Sequence, residues 1–257
     1  MLIQELFSLD GKVAAVTGGG GVLAGEMARG FAGAGADVAI IDLNRANAEA
    51  RAAEITATGR RAVAIAADVT KKADIERALA TTLEQLGRVD ILLNAAGINS
   101  GTPFFEIAES EWEKILDVNL RSVFLACQVF GKHMAEAKSG SIINISSASS
   151  GPPLSKVFTY SVTKGGVNQI TQFLAREFAP HNVRVNAILP GFFPAEQNRK
   201  LLTEERVSQI MNHTPMRRFG DARELVGAAI YLASDKAASF VTGSILRVDG
   251  GFMSMTI

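Results

Sequence analysis

The sequence predicts an α/β fold: a doubly wound sheet of about seven parallel strands flanked by helices, forming one domain over residues 1–257. Three observations carry this expectation. Short, unbroken apolar runs recur along the chain, as strands buried on both faces require. Stretches of helical spacing separate them, so successive strands connect by crossovers and run parallel. The runs stop at glycine, asparagine, serine, aspartate or proline, and open sheets of this kind take ligands outside the carboxyl ends of their strands. With 257 residues, 47% of them hydrophobic, the chain is long enough for one large core and short for two.

The first run, Val13 to Thr17, ends in Gly18-Gly19-Gly20-Gly21, and a helical pattern follows from Val22 to Gly33. Glycines at such a turn let the backbone approach a pyrophosphate held at the helix N-terminus, which makes Gly18, Gly20, Gly21, Val22 and Leu23 candidate contacts for a dinucleotide. Gly19-x-Gly21-x-x-Ala24 matches the loose dinucleotide fingerprint, a weak signal alone. The next run, Val38 to Ile41, strengthens it by ending in Asp42 and Leu43, about twenty residues past the glycines, where an acid binds ribose hydroxyls. A carboxylate there repels a 2′-phosphate, so NAD(H) is expected over NADP(H), although Arg45 stands close enough to turn toward a phosphate. Asp42 also reads as an N-terminal cap for the Ala-rich segment after it.

Ala62 to Ala67 is a third strand, ending at Asp68-Val69, where Asp68 is expected to meet the adenine edge; a helix runs from Lys71 to Leu86. Val89 to Leu93 stops at Asn94-Ala95-Ala96-Gly97, a corner of small residues that permits close approach of a cofactor. A long helical pattern from Glu111 to about Ala135 contains Asn119, whose amide, buried in a helix, needs partners. Bonding to a neighbouring backbone and holding a water for proton relay are both open readings. The fifth strand, Ser141 to Ile145, runs into Ser146 to Gly151. The sixth, Val183 to Leu189, ends at Pro190-Gly191 with Phe193 beyond it, and the seventh, Ser244 to Val248, ends at Asp249-Gly250-Gly251.

The chemistry centres on Ser147 to Lys164. Tyr160 and Lys164 are four residues apart near the start of a helix over Phe158 to Phe178, so phenol and ammonium project from one face. An isolated phenol titrates near ~10, and bringing it down by roughly 3 units needs about 4 kcal/mol, which a desolvated ammonium at close range is expected to supply. The plainer reading, a helix anchor beside a solvated lysine, yields to the number of candidate residues gathered at one edge of the sheet.

Composition narrows the partners. Lys+Arg and Asp+Glu both number 26, so there is no basic stripe for nucleic acid and no charge excess for an anionic membrane; a small molecule is the expected partner. Cys127 is the only cysteine, which suits core packing in a reducing compartment. The N-terminal residues lack a basic region followed by a long apolar run, and no stretch reaches ~18 apolar residues, so a cytoplasmic location is expected, without a membrane segment. No metal site is expected.

Taken together, these residues resemble the short-chain dehydrogenase/reductase family over nearly the whole chain, Thr17 to Gly251. The matches are Thr17-Gly18 in the glycine turn, Asn94 to Gly97, Asn119, Ser147, Tyr160-x-x-x-Lys164 and Pro190-Gly191. Val22 and Ala24 depart from the pattern, standing where the family has its second and third glycines. The resemblance implies a Rossmann-type fold and a nicotinamide-dependent oxidoreductase. In it Tyr160 exchanges a proton with the substrate oxygen, Ser147 hydrogen-bonds that oxygen, Lys164 binds the nicotinamide ribose and lowers the tyrosine pKa, and Asn119 positions a water. It also implies a homotetramer, paired through the two long helices and through the last strand.

Residues 191–215 depart from the strand-helix rhythm and are expected to form a substrate lid. Glycine-rich Gly18 to Leu23, Pro190 to Phe193 and Glu196 to Arg199 look like the sugar-acid branch of the family, which acts on keto-uronates such as fructuronate and mannonate. A polyhydroxy acid needs many hydrogen-bond partners and a cationic or amide-rich carboxylate site; Asn99, Ser147, Ser149, Gln197, Asn198 and Arg199 are the candidates. The alternatives are a 3-oxoacyl thioester or general keto reductase and, from another class, a non-catalytic NAD(H) sensor or scaffold.

Overall fold

The computed structural model describes residues 2–152, 154–194 and 202–255. Seven strands, β1 (Val13–Thr17), β2 (Asp37–Asp42), β3 (Ala62–Ala66), β4 (Ile91–Asn94), β5 (Gly140–Ile145), β6 (Val183–Pro190) and β7 (Ile245–Val248), form one sheet in the order β3-β2-β1-β4-β5-β6-β7. Every pairing is parallel. The expected doubly wound sheet is therefore the observed one, and its winding reverses between β1 and β4, where such sheets open a crevice.

Nine α-helices are described: α1 (Ile3–Phe7), α2 (Val22–Gly33), α3 (Arg45–Thr56), α4 (Lys72–Leu86), α5 (Glu109–Leu116), α6 (Ser122–Ala137), α7 (Phe158–Phe178), α8 (Glu204–His213) and α9 (Val226–Ala233). Neighbouring residues of a strand point to opposite faces, and the core divides accordingly. Leu92 and Ile142 pack with Phe130 and Met134 of α6 on one face, whereas Leu93 and Ile143 pack with Met27 and Phe31 of α2 and Leu232 of α9 on the other. Helices on both faces explain why the strands read as continuous apolar runs. Arg184, buried in β6, donates to the Leu232 carbonyl at 2.7 Å, closing the end of α9 against the sheet.

Register aligns the strand ends that carry the site. Thr17 pairs with Ile41 and Asn94, Asn94 with Asn144, and Ile145 with Ile188. Two expectations are corrected. The helical pattern from Glu111 to about Ala135 is not one α-helix, because Asp117–Arg121 forms a π-helical turn between α5 and α6; its wider ring keeps side chains in a helical sequence while changing which of them face the sheet. The cap of α3 is Asn44, whose side chain accepts from Asn47 N, rather than Asp42.

Candidate active site

The glycine turn is held by its backbone. Gly18 adopts φ +65°, and a Cβ there would stand 2.8 Å from Ala96 Cα, so this position joins the ends of β1 and β4 at a distance only glycine allows. The Thr17 hydroxyl accepts from Ala95 N at 3.2 Å, tying the same two ends together. Gly20 N donates to Asp42 Oδ2 at 3.0 Å, and Asn44 N to Asp42 Oδ1 at 2.9 Å. The acid expected to read the ribose thus also anchors the turn to the end of β2. Of the two family glycines that are missing, Val22 stands 52% exposed on the rim at the start of α2, while the Ala24 methyl is buried in the core.

A cleft of about 570 Å³ lies over these strand ends. Its floor on the β1 and β4 side includes Gly18, Gly21, Leu23, Ala95 and Gly97, and its other wall includes Ser147, Ser149, Tyr160, Lys164, Gly191 and Phe193. Val22 and Asn99 lie on it as well. Small residues where a pyrophosphate and a nicotinamide would lie, next to a helix N-terminus, fit a dinucleotide.

Tyr160 and Lys164 share the first turns of α7, as their spacing requires. Lys164 is 4% exposed; its Nζ donates to the Ile145 carbonyl at 2.7 Å and lies 5.5 Å from the centroid of the Tyr160 ring. Burial lowers its pKa to about 8. The expected depression of the tyrosine is not found in the protein alone. Burial raises the Tyr160 pKa, and a hydrogen bond with Ser147 opposes it only in part. Desolvation disfavours both charged forms at this depth.

Ser147 caps a short 3₁₀ turn over Ala148–Ser150. Its Oγ accepts from Ser149 N at 3.2 Å and from the Ser149 hydroxyl at 3.1 Å, so Ser149 orients the catalytic candidate from behind. Asn119, fully buried on the π turn, takes the backbone reading: Oδ1 accepts from Ile98 N and Nδ2 donates to Ile98 O, both at 2.8 Å, with a further bond to Thr163 Oγ1 at 3.2 Å. It fastens the loop after β4 to α7.

Several expected contacts lie off the cleft. Asn94 is 3% exposed and its amide donates to Asn144 Oδ1 at 2.9 Å, a link between strands. Asp68 accepts from the Thr70 hydroxyl at 2.7 Å, and Val69 is buried beside it. Gly20, Asp42, Leu43 and Pro190 are near the strand ends without lining the cleft. Gln197, Asn198 and Arg199 lie outside the described residues. Sequence reasoning missed Ile145, which acts through a carbonyl that no side-chain pattern reveals, and Arg206 of α8, which lines the cleft. The available signal for Arg206 was its place three residues after Thr203, a capping residue.

A family model described as enoyl-(acyl carrier protein) reductase matches residues 21–253. The 5-keto-D-gluconate 5-reductase of Escherichia coli (strain K12) is 37% identical over 252 residues, covering 98% of this chain and 99% of its own. A gluconate 5-dehydrogenase from Burkholderia cenocepacia J2315, solved with NADP and tartrate, has a TM-score of 0.94 at 34% identity, over 99% of this chain and 100% of that one. A provisionally named D-mannonate oxidoreductase from Haemophilus influenza, solved with NAD, has a TM-score of 0.93 at 33% identity, over 99% of both chains.

Proposed function

Because the chain belongs to the short-chain dehydrogenase/reductase family and is a nicotinamide-dependent oxidoreductase of CH–OH groups, we propose that it interconverts a sugar acid and its keto form. The observation that carries this reading is the charge of the cleft: among the described residues its lining side chains include two cations, Lys164 and Arg206, and no carboxylate. Such a cavity favours an anionic substrate over a neutral one. The relatives named above supply the chemical class, and a keto-uronate of the fructuronate and mannonate type is the narrower form of the proposal.

The geometry supports the following roles. When bound, the nicotinamide supplies the hydride exchange. Acting as phenolate, Tyr160 takes the proton of the substrate hydroxyl during oxidation, and acting as phenol it donates one during reduction, while Ser147, on the same wall of the cleft, steadies the charge developing on the same oxygen. Lys164 holds its ammonium beside that pair. The glycine turn, Ala95 and Gly97 would hold the dinucleotide, and Asp42 favours NAD over NADP. Arg45, the side chain able to oppose this preference, is tied to Glu49 at 2.7 Å. The described parts of the expected substrate lid, residues 191–194 and 202–215, border the cleft through Phe192, Phe193, Pro194, Leu202 and Arg206.

The same reading includes a cytoplasmic homotetramer. Among the described residues no helix is long and apolar enough to cross a membrane. Phe124 of α6 and Phe173 of α7 are 50% and 61% exposed, which suits helices paired across a subunit contact. The test is oxidation of NADH and NADPH against keto-uronates, 5-ketogluconate, 3-oxoacyl thioesters and simple ketones. Activity confined to the sugar acids is the expected result; activity confined to thioesters or ketones rejects it.

A further inference from the structure

We propose that Arg206 is the clamp for the substrate carboxylate, and that it selects acids over neutral polyols. This rests on the sugar-acid reading and adds the residue that recognises the acid. Arg206 stands in the first turn of α8, where Thr203 Oγ1 accepts its backbone N–H at 3.2 Å and fixes the start of the helix. Its half-buried side chain lines the main cleft together with Tyr160 and Ser147, and also an adjoining cavity of about 350 Å³ that reaches Phe252.

The guanidinium is pinned at one corner. Nη1 donates to Ser155 Oγ at 2.9 Å and to Gln209 Oε1 at 3.3 Å. The Gln209 amide donates in turn to Glu205 Oε1 at 3.2 Å, which turns its oxygen toward the arginine. Ser155 lies on the segment that leads into Tyr160 and α7, so the pin refers Arg206 to the element carrying the catalytic tyrosine. Nε and Nη2, which share the opposite edge of the guanidinium, have no hydrogen-bond or ion-pair partner among the described residues. Two parallel N–H groups on one planar edge match a carboxylate bidentately.

Lys164 does not compete for this task. Its ammonium is spent on the Ile145 carbonyl, next to the phenol where the reacting oxygen must sit. Among the described residues that line the cleft, Arg206 is then the cation available to the acid end of a substrate held at Tyr160. Leu154 and Phe192 line both cavities together with Arg206, so apolar surface borders the volume a substrate would fill.

The test uses Arg206→Gln and Arg206→Lys in the full chain, with an aldonic acid that the wild type oxidises and with its amide, which keeps the hydroxyls and loses the charge. The amide is followed as a substrate or, where turnover is slow, as a competitive inhibitor. Arg206→Gln is expected to raise KM for the acid roughly 30-fold, the loss of hydrogen bonds to a charged group. Its kcat should stay within about threefold, and the constants for the amide should not move. Lysine should restore part of the loss, since it keeps the charge without the two-pronged edge. Equal effects on acid and amide, or no effect on either, overturn the proposal. NADH fluorescence reports whether each variant retains its fold. If neither variant binds NADH, Ser155→Ala, which releases Nη1, must raise the acid KM selectively, and an unchanged value overturns the clamp. A wild type that oxidises no sugar acid removes the functional reading and the clamp together, whereas an active wild type matched by its Arg206 variants removes the clamp alone.

Discussion

The two halves of the cleft are built by different physics. On the β1 and β4 side the work is done by backbone and by the absence of side chains: Gly18 against Ala96, Gly20 on Asp42, Ala95 and Gly97 on the floor. On the β5 and α7 side it is done by buried titratable side chains whose protonation depends on their surroundings, Tyr160 raised and Lys164 lowered by the same burial. Shape governs the first half and charge the second. A substitution in the first should therefore act on stability and cofactor affinity, and one in the second on turnover and its pH dependence.

Tyr160→Phe tests the second half with the largest effect. Removing one hydroxyl while keeping the ring should lower kcat by about 10³-fold, within the range for loss of a general acid or base, and leave NADH affinity nearly unchanged. Turnover close to wild type would take Tyr160 out of the mechanism. A large loss of NADH binding would instead mean that the two halves are not separable.

Gly18→Ala is the counterpart in the first half. The new Cβ meets the backbone of Ala96 at 2.8 Å from a residue at φ +65°, so neither a rotamer change nor a small shift relieves it. A loss of about 3 kcal/mol in unfolding free energy is expected, together with weakened binding of both cofactors alike. Denaturant melts that overlay the wild type would show that the turn has room the structure does not show.

Lys164→Met asks whether the charged half is strained in the protein alone. With its pKa pushed down to about 8, the buried lysine releases its proton in the folded state before it does when unfolded. Between about pH 8 and ~10.4 the unfolded chain binds more protons, so native stability rises with pH across that window, and the cost of the buried ammonium is fully present below it. Methionine removes that cost and leaves the Ile145 carbonyl without its donor. The net gain should be about 1–2 kcal/mol at pH 7, shrinking above pH 8, in a protein that has lost its activity. A gain that stays constant with pH would assign the effect to packing.

The difference between the halves also explains what the sequence made legible. Strand ends, the glycine turn and the Tyr160–Lys164 pair were readable because each is set by local spacing. The direction of the tyrosine pKa was not, since it depends on burial contributed by elements far along the chain. The side-chain partner of Asn94 was not legible for the same reason: Asn144 lies on another strand, and register brings them together. The π turn around Asn119 leaves no periodic trace in so short a segment, yet it places the amide on Ile98. Arg206 was hidden because its meaning lies in an edge left unpaired, which only the surrounding contacts reveal.

Asp42 belongs to both descriptions, and the smallest predicted effect separates them. Its Oδ2 holds Gly20 N, a task of shape, while in the proposed function its charge would oppose a 2′-phosphate, a task of electrostatics. Asp42→Asn keeps one acceptor, which can serve Gly20 N, and removes the charge together with the acceptor that Asn44 N uses. The ratio of kcat/KM for NAD to that for NADP should then fall about tenfold, roughly 1.4 kcal/mol, with little change for NAD itself. Asp42→Ala removes both roles, so the same fall in the ratio should come with a common loss for the two cofactors as the turn loosens. Should asparagine leave the ratio untouched while alanine weakens both cofactors equally, Asp42 would serve the turn alone, and the proposed preference for NAD would lose its basis.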